Sequence, residues 1–201
     1  TDMGVNMIAY AITDDEVCRE ASLQEIVRRY YAARCGVRKG TADSVQVHKL
    51  EMLMNSCGLE PSIRACVAPA VALAEKTGAP ATAIELADGS IVTGKTSSLL
   101  GASSAALINA LKRLAHIDDS IQLISPAVLE PIQALKTGHL GNHNPRLHTD
   151  EVLIALAISA VTNPTAALAL NKLSELKGCQ IHSSVILSQV DENVLNKLGM
   201  N

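Results

Sequence analysis

With 201 residues, 48% hydrophobic content and three tyrosines as the only aromatic side chains, the chain can bury one substantial core or two modest ones built from aliphatic residues. That composition excludes disordered and fibrous classes, and the lack of Phe and Trp argues against single-strand nucleic-acid binding on aromatic platforms. A net charge of -3 gives no electrostatic reason for a polyanion partner, so no nucleic acid is expected.

Five cysteines, Cys18, Cys35, Cys57, Cys66 and Cys179, form no CxxC pair, so neither a disulfide framework nor a cysteine zinc site is indicated. A reducing, cytoplasmic setting fits that usage. There is neither a signal segment nor an apolar run long enough to cross a bilayer, so no membrane partner is expected. The chain opens at Thr1 without an initiator methionine and reads as a fragment of something longer.

Residues 1–78 read as a helical subdomain. Thr13-Asp-Asp-Glu16 and Ser22-Leu-Gln-Glu25 both have capping-box spacing, and Ile26, Val27, Tyr30 and Tyr31 follow at helical intervals, giving a helix or bent pair over 14–35 stopped by Gly36. Val45, Val47, Leu50, Leu53 and Met54 mark a second helix closed by Gly58, and Pro61 and Pro69 open shorter segments ending at Gly78.

Residues 79–201 read as an α/β subdomain, so the class is α+β or α/β with three layers in the second part. Ala83-Ile-Glu-Leu86 and Ile91-Val-Thr93 are strands joined by the hairpin dipeptide Asp88-Gly89. Hydroxyl caps at Thr96, Ser97 and Ser98 precede a helix whose apolar face runs from Leu99 to Leu114, with small residues from Gly101 to Ala106 suited to lying close on a sheet. A strand at 121–124 is expected next, then a helix from Ser125-Pro126 that Pro131 should kink or restart. Helices over 149–161 and 164–177, a strand over 180–187 and a closing helix over 191–198 complete the order.

Gly89-Ser-Ile-Val-Thr-Gly94-Lys95-Thr96 matches the phosphate-loop pattern GxxxxGK(S/T), yet Ile91 and Val92 occupy what should be coil, and the match reads as accidental. A weaker possibility is an anion held by the N–H groups of Thr96 to Leu99 beside Lys95, against the plainer reading of a hydroxyl-capped helix. The loop from His139 to Glu151 carries three histidines, Arg146 and two carboxylates ahead of an apolar helix. Three readings stay open for it: a helix cap by His148 or Thr149 with Asp150 and Glu151 at the positive end, a bound phosphate or substrate, or a divalent metal. Its spacing fits no defined metal motif, so no metal is assigned. The ligand-binding candidates are Lys95, Thr96, Ser97, Ser98 and Arg146, and the catalytic candidates His148, Asp150 and Glu151. Arg28, Arg29, Arg34, Arg38 and Lys39 either grip phosphate or form a solvated helix end. Cys179 and His182 read as structural.

Thr1-Asp-Met-Gly-Val-Asn6, Gln24-Glu-Ile-Val-Arg-Arg-Tyr-Tyr31, Val92-Thr-Gly-Lys-Thr-Ser-Ser-Leu-Leu-Gly-Ala-Ser-Ser104, Leu140-Gly-Asn-His-Asn-Pro-Arg-Leu-His-Thr-Asp-Glu151 and Gly178-Cys179 together carry a family likeness. The chain resembles the bacterial family known as domain of unknown function eighteen forty-six over essentially its whole length. The resemblance implies the C-terminal part of a longer protein, with an upstream domain of the same protein as partner, and brings no reaction with it. From residue 69 the order helix, hairpin, helix, strand, helix is also similar to cytidine deaminases. Their zinc motif is missing, since Gly94-Lys-Thr stands where the first metal segment would fall and no CxxC exists, so no zinc is expected. Two functions are weighed: a nucleotide- or phosphate-ligand-dependent enzyme whose cleft the upstream part completes, and a non-catalytic oligomerisation or scaffold module forming a homo-oligomer.

Overall fold

A computed structural model describes residues 13–201. The opening motif Thr1 to Asn6 lies outside them. The described residues mix helices with one sheet, and the chain divides into two compact units, Thr1–Arg64 and Ala65–Asn201.

In the first unit, α1 (Asp15–Arg38) starts at Asp14, whose Oδ1 accepts from Val17 N at 3.1 Å. The second capping-box sequence starts nothing: Ser22 Oγ turns back to donate to Cys18 O at 2.8 Å inside the same helix. Gly36 does not stop it either. A Cβ there would lie 2.8 Å from Ala42 Cβ, so Gly36 serves the close return of the chain, and the left-handed position is Gly40 (φ 72°). α2 (Ser44–Ser56) is capped by Asp43. Val27, Met54 and Leu59 form the unit's core, with Leu23, Ile26, Tyr30, Tyr31 and Ile63 packed around it.

The second unit begins with α3 (Val67–Thr77), ended by Gly78 in the left-handed conformation. α3 belongs to this second unit, where Cys66 and Ala70 bury against Ala83 of the sheet. Helical spacing alone does not say which core a helix joins. β1 (Ala81–Glu85) and β2 (Ile91–Lys95) form the expected hairpin, with Gly89 at φ 78° and Asp88 Oδ1 accepting from Ser90 N at 2.9 Å. β3 (Gln180–Ser183) pairs with the other edge of β1, giving the antiparallel order β2-β1-β3. Ala83 stands opposite Thr93 on one side and His182 on the other.

α4 (Ala102–Leu114) crosses β2 and β1, and the reason it can is Gly94. A Cβ at Gly94 would meet Ala106 N at 2.1 Å, so the helix backbone rests directly on the strand there. Leu107, Ile108 and Leu111 carry its buried face into the main core with Ile84, Leu147, Val152, Leu156 and Leu176.

The strand expected at 121–124 does not form among the described residues. Asp118 ties back Ser120 in a turn, and Leu123 and Ile124 bury their side chains in the core without joining the sheet. An apolar pair needs burial, and here irregular backbone supplies it. α5 (Pro126–Gly138) runs through Pro131 without restarting. α6 (Thr149–Ala160) and α7 (Pro164–Leu170) follow, the latter shorter than expected because a 3-10 turn, Leu173–Leu176, replaces its last stretch. α8 (Gln189–Lys197) closes the chain, with Ser188 Oγ accepting from Asp191 N at 3.1 Å. Among the described residues no helix is long and apolar enough to cross a membrane.

Candidate functional site

The second unit contains a cleft of about 260 Å³ in which five pieces of chain meet. Pro80 precedes β1, Thr96 follows β2, Gly101 to Ser103 start α4, Asn144 and Arg146 to His148 precede α6, and Ser183 to Asp191 link β3 to α8. One wall is apolar, through Pro80, Val185, Ile186 and Leu187. The polar part of the lining includes Arg146, His148 and Asp191.

Residues 146–148 are pinned along their backbone. Leu147 N donates to Leu99 O at 2.9 Å, and Leu147 O accepts from Gly101 N at 3.2 Å and from Ser104 Oγ at 2.9 Å. This one-residue parallel bridge, Leu100 with Leu147, fixes which way its neighbours project. Arg146 Nε donates to Ser97 O at 2.8 Å, which anchors the guanidinium at the cleft. From α5, Gln133 Nε2 donates to Ser98 O and Pro145 O at 3.1 Å each, and Lys136 Nζ donates to Arg146 O at 2.8 Å.

His148 is the residue before α6, and its N–H donates to Glu151 Oε2 at 2.8 Å, one half of a capping box. The same oxygen takes Lys136 Nζ at 2.7 Å, and the Lys136 side chain is buried. The His148 ring is part-exposed, with Nδ1 3.1 Å from Asp191 Oδ2 and 3.4 Å from Ser188 Oγ. Asp191 also accepts from Thr149 N at 2.9 Å and from Ser188 Oγ at 2.8 Å. Burial by itself would push the Asp191 carboxyl up, but the hydrogen bonds from Thr149 N–H, His148 and Ser188 outweigh it and hold the group below the usual carboxylate range.

Of the residues singled out in the sequence, Thr96, Arg146 and His148 line the cleft. Ser97 contributes its carbonyl to Arg146, and its hydroxyl accepts from Leu99 N at 3.2 Å and Leu100 N at 3.0 Å. It therefore shapes a turn, and α4 begins later, at Ala102, with no side-chain cap. Thr96 N donates to Pro80 O and Ser97 N to Leu100 O, so those amides are already used. Lys95 is the exposed last residue of β2, and Gly94 beside it is in the strand, which leaves no phosphate-loop coil. Ser98 is exposed, with its carbonyl held by Gln133. Asp150 accepts from Glu151 N at 2.8 Å, and Glu151 belongs to the Lys136 bridge. The cations of α1 are largely engaged locally: Glu25 pairs with Arg28 and Arg29, and Arg34 stacks over Tyr30. Cys179 is buried, and burial raises its thiol pKa. Among the described residues no group of three or more His, Cys, Asp or Glu is arranged to hold a metal ion.

Sequence reasoning missed Asp191, Ser188 and Lys136. Asp191 and Ser188 lie forty or more residues from His148, and the only local sign was Ser188-x-x-Asp191, itself a capping spacing. Lys136, a lone lysine in the last turn of a helix, carried no sequence signal.

These features define an α+β chain with a small cleft lined by a basic segment, a histidine–carboxylate pair and an apolar wall. The description Domain of unknown function DUF1846, C-terminal, matches residues 62–201, and its N-terminal counterpart matches residues 1–58; the chain belongs to the DUF1846 family. It is 53% identical over 200 residues to a UPF0371 protein of Corynebacterium aurimucosum, 55% identical over 200 residues to one of Corynebacterium efficiens, and 54% identical over 201 residues to one of Streptococcus thermophilus. Each alignment covers 100% of this chain, which spans about 40% of the length of these curated relatives. The expectation of a C-terminal part alone, partnered by an upstream domain of the same protein, is corrected: the N-terminal description matches residues 1–58, so both family models fall within this chain and the comparisons give no ground for that partner.

Proposed function

We propose that the cleft of the second unit binds a compact anionic ligand, a phosphate ester foremost, and that His148 serves there as an acid–base group. The observation that carries this reading is the histidine–carboxylate pair: Asp191 holds Nδ1 of a part-exposed ring at the rim of the cleft, leaving Nε2 as the nitrogen able to meet a ligand. Arg146 supplies a cation suited to phosphate geometry, and the uncapped first turn of α4 adds N–H dipoles at the same cleft. The volume of about 260 Å³ sits just below the usual range of roughly 300–1,000 Å³ for small-molecule sites, which favours a compact ligand over a complete dinucleotide.

The test is the thermal midpoint with inorganic phosphate and small phosphomonoesters. Saturation at one hundred times the dissociation constant adds about 2.7 kcal/mol, roughly 5–10 °C for a chain of this size. The shift should vanish in Arg146→Ala, and His148→Gln should bind yet lose any turnover. A shift of the same size in Arg146→Ala would overturn the assignment.

An assembly role is the second reading. Ile154, Ile158 and Val161 make an exposed apolar stripe at helical spacing along and just past α6, 59%, 56% and 82% exposed, with Leu168 of α7 also exposed. Single exposed apolar residues are ordinary, whereas a stripe suits an interface. Light scattering that gives a monomer at every concentration would sink it.

A further inference from the structure

We infer that Lys136 is a positioning residue for this site, and that its ammonium sets how Arg146 and His148 present themselves to the cleft. The inference rests on the anion-site reading above for its function, but its geometry stands independently. Lys136 is 3% exposed, an unusual place for a lysine on a helix that otherwise faces solvent on several sides. Its Nζ lies 2.7 Å from Glu151 Oε2 and 2.8 Å from Arg146 O. Glu151 Oε2 in turn accepts from His148 N at 2.8 Å. A buried lysine and its part-exposed carboxylate partner therefore hold the carbonyl of the arginine and, through the carboxylate, the amide of the histidine two residues on.

Gln133, one helical turn earlier on α5, holds Pro145 O at 3.1 Å and extends the same clamp along the incoming chain. Neither Lys136 nor Glu151 is among the residues that line the cleft. A charge pair buried for stability alone is a poor investment of sequence, because an apolar pair of similar volume often does as well. Here the pair offers two directed hydrogen bonds that an apolar pair lacks, and both end on the backbone of the residues that face the ligand. Fixing a supporting shell in this way is what keeps binding groups within a fraction of an ångström of productive geometry.

The experiment compares wild type with Lys136→Met, Lys136→Arg and the double variant Lys136→Met/Glu151→Leu. Nuclear magnetic resonance follows the Arg146 Nε–H and His148 ring signals in the ligand-free protein, circular dichroism follows the fold, and titration with inorganic phosphate follows binding. In a folded Lys136→Met or double variant the Arg146 Nε–H should lose protection and shift, the His148 ring signals should move, and phosphate affinity should fall at least tenfold. Lys136→Arg, which keeps the charge and donors, should recover part of both effects. If wild type binds no phosphate while the Arg146 and His148 signals still move in the variants, the anion-site reading fails and the positioning role stands. If folded variants keep wild-type signals, the positioning role is overturned, whatever the phosphate result. Collapse of the fold in both methionine variants would also overturn it, by making the pair a folding element.

Discussion

Removing the Asp191 carboxylate should loosen α6 and the cleft together, by an amount the structure lets us work out. In Asp191→Ala the Thr149 N–H, now bonded at 2.9 Å in a fully buried residue, loses its acceptor. A buried donor left without a partner costs about 1–3 kcal/mol, and loss of a helix N-terminal acceptor typically costs about 1 kcal/mol, describing much of the same deficit. Ser188 Oγ, which donates to Asp191 Oδ2, still has the His148 ring nearby at 3.4 Å and so adds little. The expected loss is about 1–3 kcal/mol for Asp191→Ala and less, about 1 kcal/mol, for Asp191→Asn, whose remaining amide oxygen can still accept from Thr149. Urea unfolding at pH 7 reads both directly. Because the folded carboxyl is held below its ordinary value, its ionised form contributes stability above the unfolded value of about 3.9, and that contribution is lost as pH falls through the lower folded value. The gap between wild type and Asp191→Asn should therefore be present near neutrality and narrow below about pH 4. A loss under about 0.5 kcal/mol for Asp191→Ala, or a gap that widens in acid, would refute the reasoning.

Gly94→Ala places a Cβ 2.1 Å from Ala106 N and 2.6 Å from Ala105 C, both backbone atoms, so α4 must lift from β2; we expect a loss of about 3 kcal/mol or more, visible as a fall in thermal midpoint. Thr149→Val should be neutral or gain up to about 1 kcal/mol in urea unfolding, because the buried Thr149 hydroxyl has no hydrogen-bond partner among the described residues. His116 holds φ 54° just past α4, a conformation that favours glycine, and His116→Gly should raise stability by about 0.5–1 kcal/mol in the same assay. Glu25→Gln breaks ion pairs to Arg28 and Arg29 on a largely exposed helix face, and chemical unfolding should show a change within about 1 kcal/mol.

Much of the fold was legible because its signals are local. Asp88-Gly89 between two short strand-like runs announced the hairpin and Gly78 announced the end of α3, each by backbone chemistry confined to a few residues. Where local signals misled, a tertiary demand had taken the residue over. Gly36 reads as a helix stop but serves the approach of Ala42. Leu123 and Ile124 read as strand but are buried without a ladder partner. The hydroxyls at 96–98 read as caps, yet Ser97 closes a turn and α4 begins at Ala102.

The cleft itself divides along the same line. Arg146 and His148 stood out because polar side chains gathered before an apolar helix are visible in a window of a dozen residues. Their partners were not visible, since Asp191 and Ser188 come from the start of α8 and Lys136 from the last turn of α5. What turns a polar loop into a rigid rim is thus a set of long-range bonds. Leu99 and Gly101 hold residue 147, α5 holds the carbonyl of residue 146, and α8 holds the ring of residue 148. Each bond comes from a different element, and each ends on a neighbouring residue. A loop fixed from three directions loses little further freedom when a ligand arrives, so binding groups on it spend less of their interaction energy on ordering. That is the physical reason to look for chemistry at residues 146–148 rather than at the better-known pattern around Lys95, where Ile91 to Lys95 lie in a strand.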